Sequence, residues 1–464
     1  MEDSQAPYRD RSGHASTRLP VTKSLAEFVH RTRWKDIPSV VRHEAKRSLV
    51  NYFAAALAGC SDTGIEKAIS VYGHFRGGNE AGLIGRPERT DILNAAALNA
   101  MSANVYDFDD THLPTIIHPS APVASSLFAL AESSRLNGEQ LLLAFVLGVE
   151  VECRLGNAIS PGHYQRGWHI TSTCGVFGAA AGTAKAINLD AHRMEWAFGN
   201  ASAQSSGLVE TLGSMSKSIS VGNASRNGLL SALLASDDFS GPEQPIEGEW
   251  GFLRVMGDHV NFDAIGKGLG QEWALLSNTY KPYPCGVVLS PVVEACLGLS
   301  REAGWLIEDV ERVELVGHPL LRERTDRPGV RSGREAQVSA QHSVAVALAK
   351  GKAGLAEFSD TCALDPALRG LGSRVVFLDD PGYPVEAATV TVVLRSGRVL
   401  SRKVVAARGS LATPLTDADL EAKVRELAKY GGSGCSPEPL IDALWKLESA
   451  PDASLPMRLA SRIA

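Results

Sequence analysis

The chain has 464 residues, and its 46 lysines and arginines against 52 aspartates and glutamates give a formal net charge of −6 at neutral pH. This length predicts two domains or one large one, and the charge is not basic enough to draw the chain to nucleic acid or to an anionic membrane surface. The sequence has no run of about 18 apolar residues and no apolar core near its first residue, so we expect neither a membrane-spanning helix nor a secretory signal.

Small residues and cysteines narrow the class further. Glycine contributes 44 residues, alanine is more frequent still, and aromatic residues make up only 6% of the chain, which favours closely packed helices over a β-sandwich. The cysteines are odd in number and form no Cys-x-x-Cys pair, so we predict reduced core thiols in a cytoplasmic protein, with no disulfide and no zinc site. They are Cys60, Cys153, Cys174, Cys285, Cys296, Cys362 and Cys435.

The first half of the chain has a helical pattern. Apolar residues recur at helical spacing from about residue 25 to residue 236, and no strand is predicted there. We expect residues 1–22 to form a disordered arm and residues 23–271 to form a large helical domain. The predicted helices cover residues 41–58, 92–101, 120–132, 138–151, 175–187, 194–202 and 228–236.

The pattern changes near residue 272. We predict a smaller α+β domain with a mostly antiparallel sheet over residues 272–408, and C-terminal helices that return to the helical domain over residues 409–464. The fold class is therefore mainly α, with a large all-helical domain and a smaller α+β domain. The predicted elements of the smaller domain are strands 312–317 and 374–378, helix 335–350, and a hairpin of residues 388–394 and 399–405 around a glycine-containing turn.

An acidic motif follows the predicted helix 92–101. Asp107, Asp109 and Asp110 lie close together, ahead of His118. Neighbouring carboxylates repel one another, so such a cluster persists where a cation, a base or a hydrogen-bond network uses it. Three interpretations stay open: a site for a hard divalent cation, an acid/base site in which Asp107 and His118 move protons, or a structural cluster that caps a helix and pairs with arginines.

His118 is followed by Pro119 and Ser120. We predict that Ser120 caps the next helix, which places His118 just before a helix N-terminus. The free backbone amides and the helix dipole at such a point attract a substrate carboxylate.

A second motif covers residues 162–175 and contains His163 and His169 ahead of a helix with a small-residue face. Thr171 or Ser172 is predicted to cap that helix. A histidine just before a helix start is a natural position for anion binding or proton transfer, and we interpret His169 in this way. His163 is interpreted as a surface histidine with satisfied hydrogen bonds.

Two lysines lie in further predicted loops. Lys217 stands in the Ser/Gly-rich segment 213–222, where it either binds a carboxylate and protonates an enolate or is simply solvated. The residue before it is Ser216 and not glycine, so we reject a phosphate-binding loop. Lys281 and Tyr283 lie in the segment 281–286 at the domain junction, which is either one wall of a cleft or a rigid linker.

Taken in order, these four motifs resemble the MmgE/PrpD family. The motifs are Asp-Phe-Asp-Asp-Thr with His-Pro-Ser, His-Ile-Thr-Ser-Thr-Cys-Gly, the Ser-Lys segment ending in glycine, and Lys-Pro-Tyr-Pro-Cys-Gly. The resemblance runs from about residue 25 to the C-terminal helices. It implies a large all-helical domain with a smaller lid domain, a homodimer, and no metal or organic cofactor.

The resemblance also implies roles for single residues. It implies a family site in which one aspartate, two histidines and one lysine are catalytic and a threonine lies beside them. The interpretation of the fourth motif as a cleft wall adds two substrate-binding residues to this set. In this chain the catalytic positions are Asp107, His118, His169 and Lys217, and the substrate-binding positions are Thr111, Lys281 and Tyr283. Gly286 stands where the family's decarboxylases carry a histidine.

The family's reactions make or break a bond to a carbon beside a carboxylate, through an enolate-like or carbanion-like intermediate. This chemistry needs cations that hold carboxylates and proton-transfer groups on two faces. We predict a cofactor-independent lyase of dehydratase or decarboxylase type that acts on a small di- or tricarboxylic acid. Two alternatives stay open: an epimerase of an iminodisuccinate-like acid with two bases, and a non-catalytic ligand-binding protein on the same fold.

Overall fold

The computed structural model describes residues 20–75 and 77–461. The predicted arm lies outside the described residues as far as residue 19. Its predicted end at residue 22 is too late, because the first helix begins at Val21 and both Val21 and Thr22 are buried.

A large group of helices precedes residue 270. Several begin at a side chain that accepts a hydrogen bond from the first turn, as Asp91 does from the backbone amide of Asn94. The helices are α1 Val21–Arg31, α2 Ser39–Gly59, α3 Thr63–Tyr72, α4 Ile92–Asn104, α5 Ser120–Ser133, α6 Gly138–Ile159, α7 Gly162–Gln165, α8 Ile170–Ala186, α9 Ala191–Ser202, α10 Ser216–Ser236, α11 Phe252–Met256 and α12 Asp263–Gly266.

Glycines allow the central helices to approach closely. α8 packs against both α6 and α10. A Cβ atom on Gly148 of α6 would lie 2.7 Å from the carbonyl oxygen of Gly178 in α8, and one on Gly228 of α10 would lie 2.6 Å from the carbonyl oxygen of Val176. Both distances are shorter than real side chains tolerate, so the abundance of small residues has a packing cause.

Three short strands interrupt the helical region, where none is predicted from the sequence: β1 Ala81–Gly82, β2 Arg89–Thr90 and β3 Asp110–His112. A fourth short strand, β4 Asn278–Tyr280, follows that region. β1 pairs with β2, and β3 pairs with β4, both antiparallel. Runs of two or three residues are too short to show the alternation that identifies a strand in a sequence.

The smaller domain combines a four-stranded sheet with helices. The strand order is β6-β5-β7-β8; β7 is antiparallel to both neighbours, while β5 and β6 are parallel. The sheet is therefore mostly antiparallel, with one parallel pair. Its elements are α13 Ser290–Leu299, β5 Val310–Gly317, α14 Pro319–Thr325, α15 Gly333–Ala336, α16 Ala340–Lys350, α17 Asp360–Ala363, α18 Pro366–Gly372, β6 Val375–Asp379, β7 Ala388–Leu394 and β8 Val399–Val404.

The predicted helix 335–350 is wrong in its first part. α15 ends at Ala336 and α16 begins at Ala340. Ser339 separates them because its Oγ accepts a hydrogen bond from the backbone amide of His342 and caps α16. Gly351, with φ of 61°, ends α16 as expected.

Buried apolar residues form two clusters. One cluster spans the helices before residue 280 and also takes in Leu420 and Leu440 from the last helices, while the other lies between Cys285 and Ala407. The last helices are α19 Asp417–Tyr430, α20 Pro437–Trp445 and α21 Leu455–Ala460. The predicted fold class, mainly α with a smaller α+β domain, is confirmed.

Candidate active site

The pairing of β3 with β4 assembles the centre of the site. The two strands are antiparallel, with Asp110 opposite Tyr280. The residues just before β3 therefore lie beside the residue that follows β4. This brings Asp107 and Lys281 together although 174 positions separate them in the chain.

Asp107 is held by two ammonium groups. Nζ of Lys217 donates to Oδ1 at 2.5 Å, and Nζ of Lys281 donates to Oδ2 at 2.8 Å. Burial disfavours the ionised form, but the charges of Lys217 and Lys281 outweigh burial and hold the pKa of Asp107 well below its usual range. Asp107 also has φ of 52°, a left-handed conformation that few side chains adopt. It is thus a fixed, ionised carboxylate.

The hydrogen bonds of His118 define its proton position. Its Nδ1 lies 2.7 Å from the carbonyl oxygen of Asp110, which can only accept, so Nδ1 carries the hydrogen. Nε2 then keeps its lone pair, and this atom lies 3.9 Å from Oδ1 of Asp107. Burial lowers the pKa of His118, although the carboxylates of Asp109 and Asp107 oppose that shift. His118 is therefore a neutral base beside two carboxylates.

His169 forms the N-cap position of α8. Its Nδ1 lies 3.2 Å from Oγ of Ser220, whose own hydrogen goes to the carbonyl oxygen of Lys217 at 2.9 Å. Ser220 therefore accepts from Nδ1, and Nε2 keeps its lone pair. Burial, with the charge of Lys217, lowers the pKa of His169 to about 3.

The other two carboxylates of the acidic motif have structural contacts. Oδ2 of Asp109 accepts from Nδ2 of Asn104 at 2.7 Å. Asp110 accepts from Oγ of Ser120 at 2.5 Å and from the backbone amide of Ser120 at 3.3 Å. The prediction that Ser120 caps α5 is wrong, because Ser120 is the first helical residue and Asp110 satisfies its amide. Burial raises the pKa of Asp110 to about 6.

The interpretation as a metal site loses support from the same geometry. Asp107, Asp109 and His118 each offer one ligand atom within 4.8 Å of the others. Both oxygens of Asp107 are already bound by lysine ammonium groups, so a divalent cation there would sit beside two positive charges. The donor set fits proton transfer better than metal binding.

A cavity of about 290 Å³ surrounds these groups and has walls from both domains. Seven of the lining residues of the large domain are Asp107, Thr111, Ile116, His118, Tyr164, His169 and Lys217. The domain junction and the smaller domain contribute seven more: Lys281, Gly286, Glu323, Arg324, Arg327, Arg334 and Gln337. Six of the seven predicted site residues thus line one cavity.

Comparison with known proteins identifies the chain at family level. It matches the MmgE/PrpD N-terminal domain over residues 23–264 and the MmgE/PrpD C-terminal domain over residues 283–447. The chain belongs to the MmgE/PrpD family.

Curated MmgE/PrpD relatives resemble nearly the whole chain. A cis-aconitate decarboxylase-like protein of Aspergillus oryzae is 26% identical over 95% of this chain and 97% of its own length. The cis-aconitate decarboxylase of Homo sapiens is 26% identical over 94% of this chain and 93% of its own length. The cis-aconitate decarboxylase of Aspergillus terreus is 29% identical over 61% of this chain and 60% of its own length.

Two predictions from the MmgE/PrpD motifs need correction. Lys217 lies in the first turn of α10 and not in a loop. Tyr283 does not belong to the residues that line the cavity; its side chain packs against the apolar cluster of the smaller domain. The backbone bends from Pro282 to Cys285, so Tyr283 does not share the face of Lys281 as it would in an extended segment. Nearby Cys285 is fully buried, and burial raises the pKa of its thiol to about 12, which makes it unreactive.

Thr111 and His163 differ in their relation to the cavity. Oγ1 of Thr111 lies 3.3 Å from Nδ1 of His118 on the cavity wall. His163 is fully buried and not a surface residue, with Nδ1 2.9 Å from the carbonyl oxygen of Met256 and Nε2 2.7 Å from Oγ1 of Thr173. Both its ring nitrogens are used, so His163 is structural.

The sequence motifs missed Lys423 of α19. Its buried Nζ donates to the carbonyl oxygens of Phe108 and Lys281, at 2.8 and 2.9 Å, and to Oδ1 of Asn51 at 2.8 Å. All three hydrogens are used, and two of them fix the backbone beside Asp107 and Lys281. Nothing near residue 423 in the sequence distinguishes it from a surface lysine of an amphipathic helix.

The arginines of the smaller domain were also missed. Arg324 and Arg327 fall in and just after α14, in a short basic segment whose only sequence signal is its charge.

No helix in the described part of the chain combines the length and apolar character that crossing a bilayer requires.

The His169 side chain predicts a pH-dependent stability difference. Its pKa in the folded protein, about 3, lies below the ordinary 6.5, so between these values the unfolded chain binds a proton that the folded chain does not. His169 therefore costs stability as the pH falls through this interval. We expect the melting temperature of His169→Gln, relative to that of the wild type, to rise when the pH is lowered from about 7.5 to about 5. A relative melting temperature that does not change with pH would contradict the low pKa.

Proposed function

We propose that the chain is a lyase that acts on a small di- or tricarboxylic acid by proton transfer next to a carboxylate, with no cofactor in the step. The observation that carries this proposal is the pair of neutral histidines, each with Nε2 free of protein hydrogen bonds among the described residues, beside an aspartate held by two lysines. The relatives are a cis-aconitate decarboxylase and a cis-aconitate decarboxylase-like protein, which supports a substrate of this class.

The charges of the cavity support a substrate with several carboxylates. Five cationic side chains line it, against the carboxylates of Asp107 and Glu323. A surplus of cations in a partly enclosed site attracts polyanions and stabilises them more strongly than in water. The cationic residues are Lys217, Lys281, Arg324, Arg327 and Arg334.

In the proposed reaction, Nε2 of His118 takes the proton from the carbon beside a substrate carboxylate. The electron pair of that C–H bond moves toward the carboxylate, where Lys217 and Lys281 stabilise the developing negative charge. For a dehydratase, that electron pair then forms the carbon–carbon double bond while the C–O bond on the next carbon breaks, and the leaving hydroxyl takes its proton from His169, which has first gained that proton from solvent in the substrate-bound site. His118 suits the base role because Asp107 and Asp109 favour its protonated form.

The same groups serve a decarboxylase in a different order. The bond to a carboxylate breaks, carbon dioxide leaves, and the electron pair left on carbon takes a proton from His118 or His169, after that histidine has gained the proton from solvent. Gly286 gives the cavity wall no side chain at the position where the resemblance implies a histidine in the decarboxylases, and a Cβ atom there would meet nothing within 4 Å. A decarboxylase built on this site would therefore depend on His118 or His169 for its proton. With that assignment, the proposal covers both lyase types.

An epimerase is the second candidate, and the two separate histidines favour it. One base removes a proton from a carbon beside a carboxylate, and the protonated form of the other returns a proton to the opposite face. No bond to oxygen or to carbon dioxide breaks in this case.

One experiment distinguishes the candidates. The protein is incubated in deuterated water with citrate-like, aconitate-like and iminodisuccinate-like acids, and the products are followed by NMR. A lyase releases water or carbon dioxide; an epimerase incorporates deuterium at one carbon without losing either. Binding without exchange or product across the whole set of acids would contradict both enzyme proposals and support a ligand-binding protein.

Homodimer formation, the domain boundaries and a cytoplasmic location stay predictions.

A further inference from the structure

We propose that Arg324, assisted by Arg327, forms a second carboxylate-binding subsite on the smaller-domain wall of the cavity. This subsite selects acids that carry a carboxylate at each end. The inference rests on the proposed function, because it assigns the far end of the same substrate. Neither arginine belongs to the motifs discussed above.

The charge pairing of the cavity residues leads to this assignment. Lys217 and Lys281 share their charge with Asp107, and Arg334 pairs with Asp62. Arg324 and Arg327 form no ion pair with any carboxylate of the described residues, although Glu323 is their neighbour in sequence. Cations without anionic partners at a cavity wall are the groups most available to a bound anion.

Arg324 is positioned by an aromatic ring of the other domain. Its guanidinium carbon lies 5.2 Å from the centre of the Tyr164 ring, within the range of a cation–π contact. The contact joins α14 of the smaller domain to α7 of the large domain. It holds the planar guanidinium without using its hydrogen-bond donors, which remain available for bidentate binding of a carboxylate.

Tyr164 also relates the two ends of the cavity. Burial raises the pKa of its hydroxyl, and the charges that act on that hydroxyl are those of Arg324, Asp107, Arg327 and Lys281. Tyr164 lines the same cavity, of about 290 Å³, as both arginines and the Asp107–Lys281 pair. A small acid that reaches the lysines with one carboxylate places another near Arg324.

The test measures the binding of three acids that differ in carboxylate number. Tricarballylate, glutarate and butyrate are titrated calorimetrically into the wild type and into Arg324→Gln. We expect Arg324→Gln to weaken tricarballylate and glutarate binding by about 10-fold to 100-fold, the effect of losing charge-assisted hydrogen bonds, and to leave the affinity for butyrate within about twofold.

The matched control is Arg322→Gln. Arg322 lies on the same helix α14, but its Nε is 3.2 Å from Oδ1 of Asp379 and it does not line the cavity. This variant should bind all three acids as the wild type does. Arg324→Lys, which keeps the charge and loses the bidentate geometry, should lie between the wild type and Arg324→Gln.

The outcomes separate the subsite from the proposed function. If the wild type binds glutarate and tricarballylate but Arg324→Gln binds them equally well, the subsite is wrong and the proposed function stands. An equal loss for butyrate in a folded variant also contradicts the subsite, since it would mean a general effect on the cavity. If the wild type binds none of the three acids, the proposed function fails and the subsite fails with it.

Discussion

Replacing Lys217 with methionine is expected to lower turnover by about 10³-fold, because it removes one of the two lysine cations proposed to stabilise the charge that develops in the reaction. Nζ of Lys217 lies 2.5 Å from Oδ1 of Asp107, in a cavity that excludes much of the bulk water. Methionine keeps the length and apolar contacts of the lysine stem. Lys281 still pairs with Oδ2 of Asp107, so the carboxylate is not left without a partner.

The control for this variant is Lys67→Met, since Lys67 is exposed on α3 and has no part in the cavity. It should keep wild-type turnover. The circular dichroism spectrum and melting temperature of Lys217→Met show whether the fold is kept. If removing one positive charge unfolds the protein, Lys217→Met combined with Asp107→Asn removes the carboxylate together with one of its two ammonium partners, and it should fold yet remain inactive. A folded Lys217→Met with near wild-type turnover would contradict the assigned role.

The helical part of the fold could be predicted because its signal is local. Apolar spacing located α2, α4 and α6 with starts within two residues of those observed, although it ended α6 eight residues early, at residue 151 against Ile159. The start of α10 was missed because Ser216, Lys217 and Ser218 resemble a loop in composition, and serine and lysine at a helix start depend on what the rest of the helix packs against.

The assembly of the site could be predicted only in part. Asp107, His118, His169 and Lys217 were recognised because each lies in a motif with its own local pattern. Their geometry depends on the pairing of β3 with β4. The central pair of these strands, Thr111 and Thr279, is separated by 168 positions in the chain, and no local pattern encodes such a contact.

The contributions of Lys423 and Arg324 are long-range in the same way. Each is one charged residue on an otherwise ordinary helix, and only the packing of that helix against the large domain gives the charge its role. Tyr283 shows the opposite case. Its neighbour Lys281 points into the cavity while Tyr283 turns into the smaller domain, so proximity in sequence was a poor guide.

The two histidines are expected to fail differently when each is replaced with glutamine. His118→Gln should lose both turnover and deuterium exchange at the carbon beside the carboxylate, because it lacks the base that removes the proton. General acid–base groups contribute about 10²-fold to 10⁴-fold to a reaction rate, so the turnover rate and the exchange rate should each decrease by a factor in this range. His259→Gln, which changes an exposed histidine outside the cavity, should leave both rates unchanged.

His169→Gln should lose turnover to a similar extent but keep a larger part of the exchange, because removal of the proton by His118 precedes the step that needs His169. The physical basis is the difference in surroundings. His118 has Asp107 and Asp109 beside it, which favour its protonated form, whereas the charges of Lys217 and His118 disfavour protonation of His169. A bound polyanion offsets those cations and raises the proton affinity of His169 when the leaving group needs a proton. NMR in deuterated water measures exchange and product in one sample. If His169→Gln abolishes exchange while His118→Gln keeps it, the two roles are reversed.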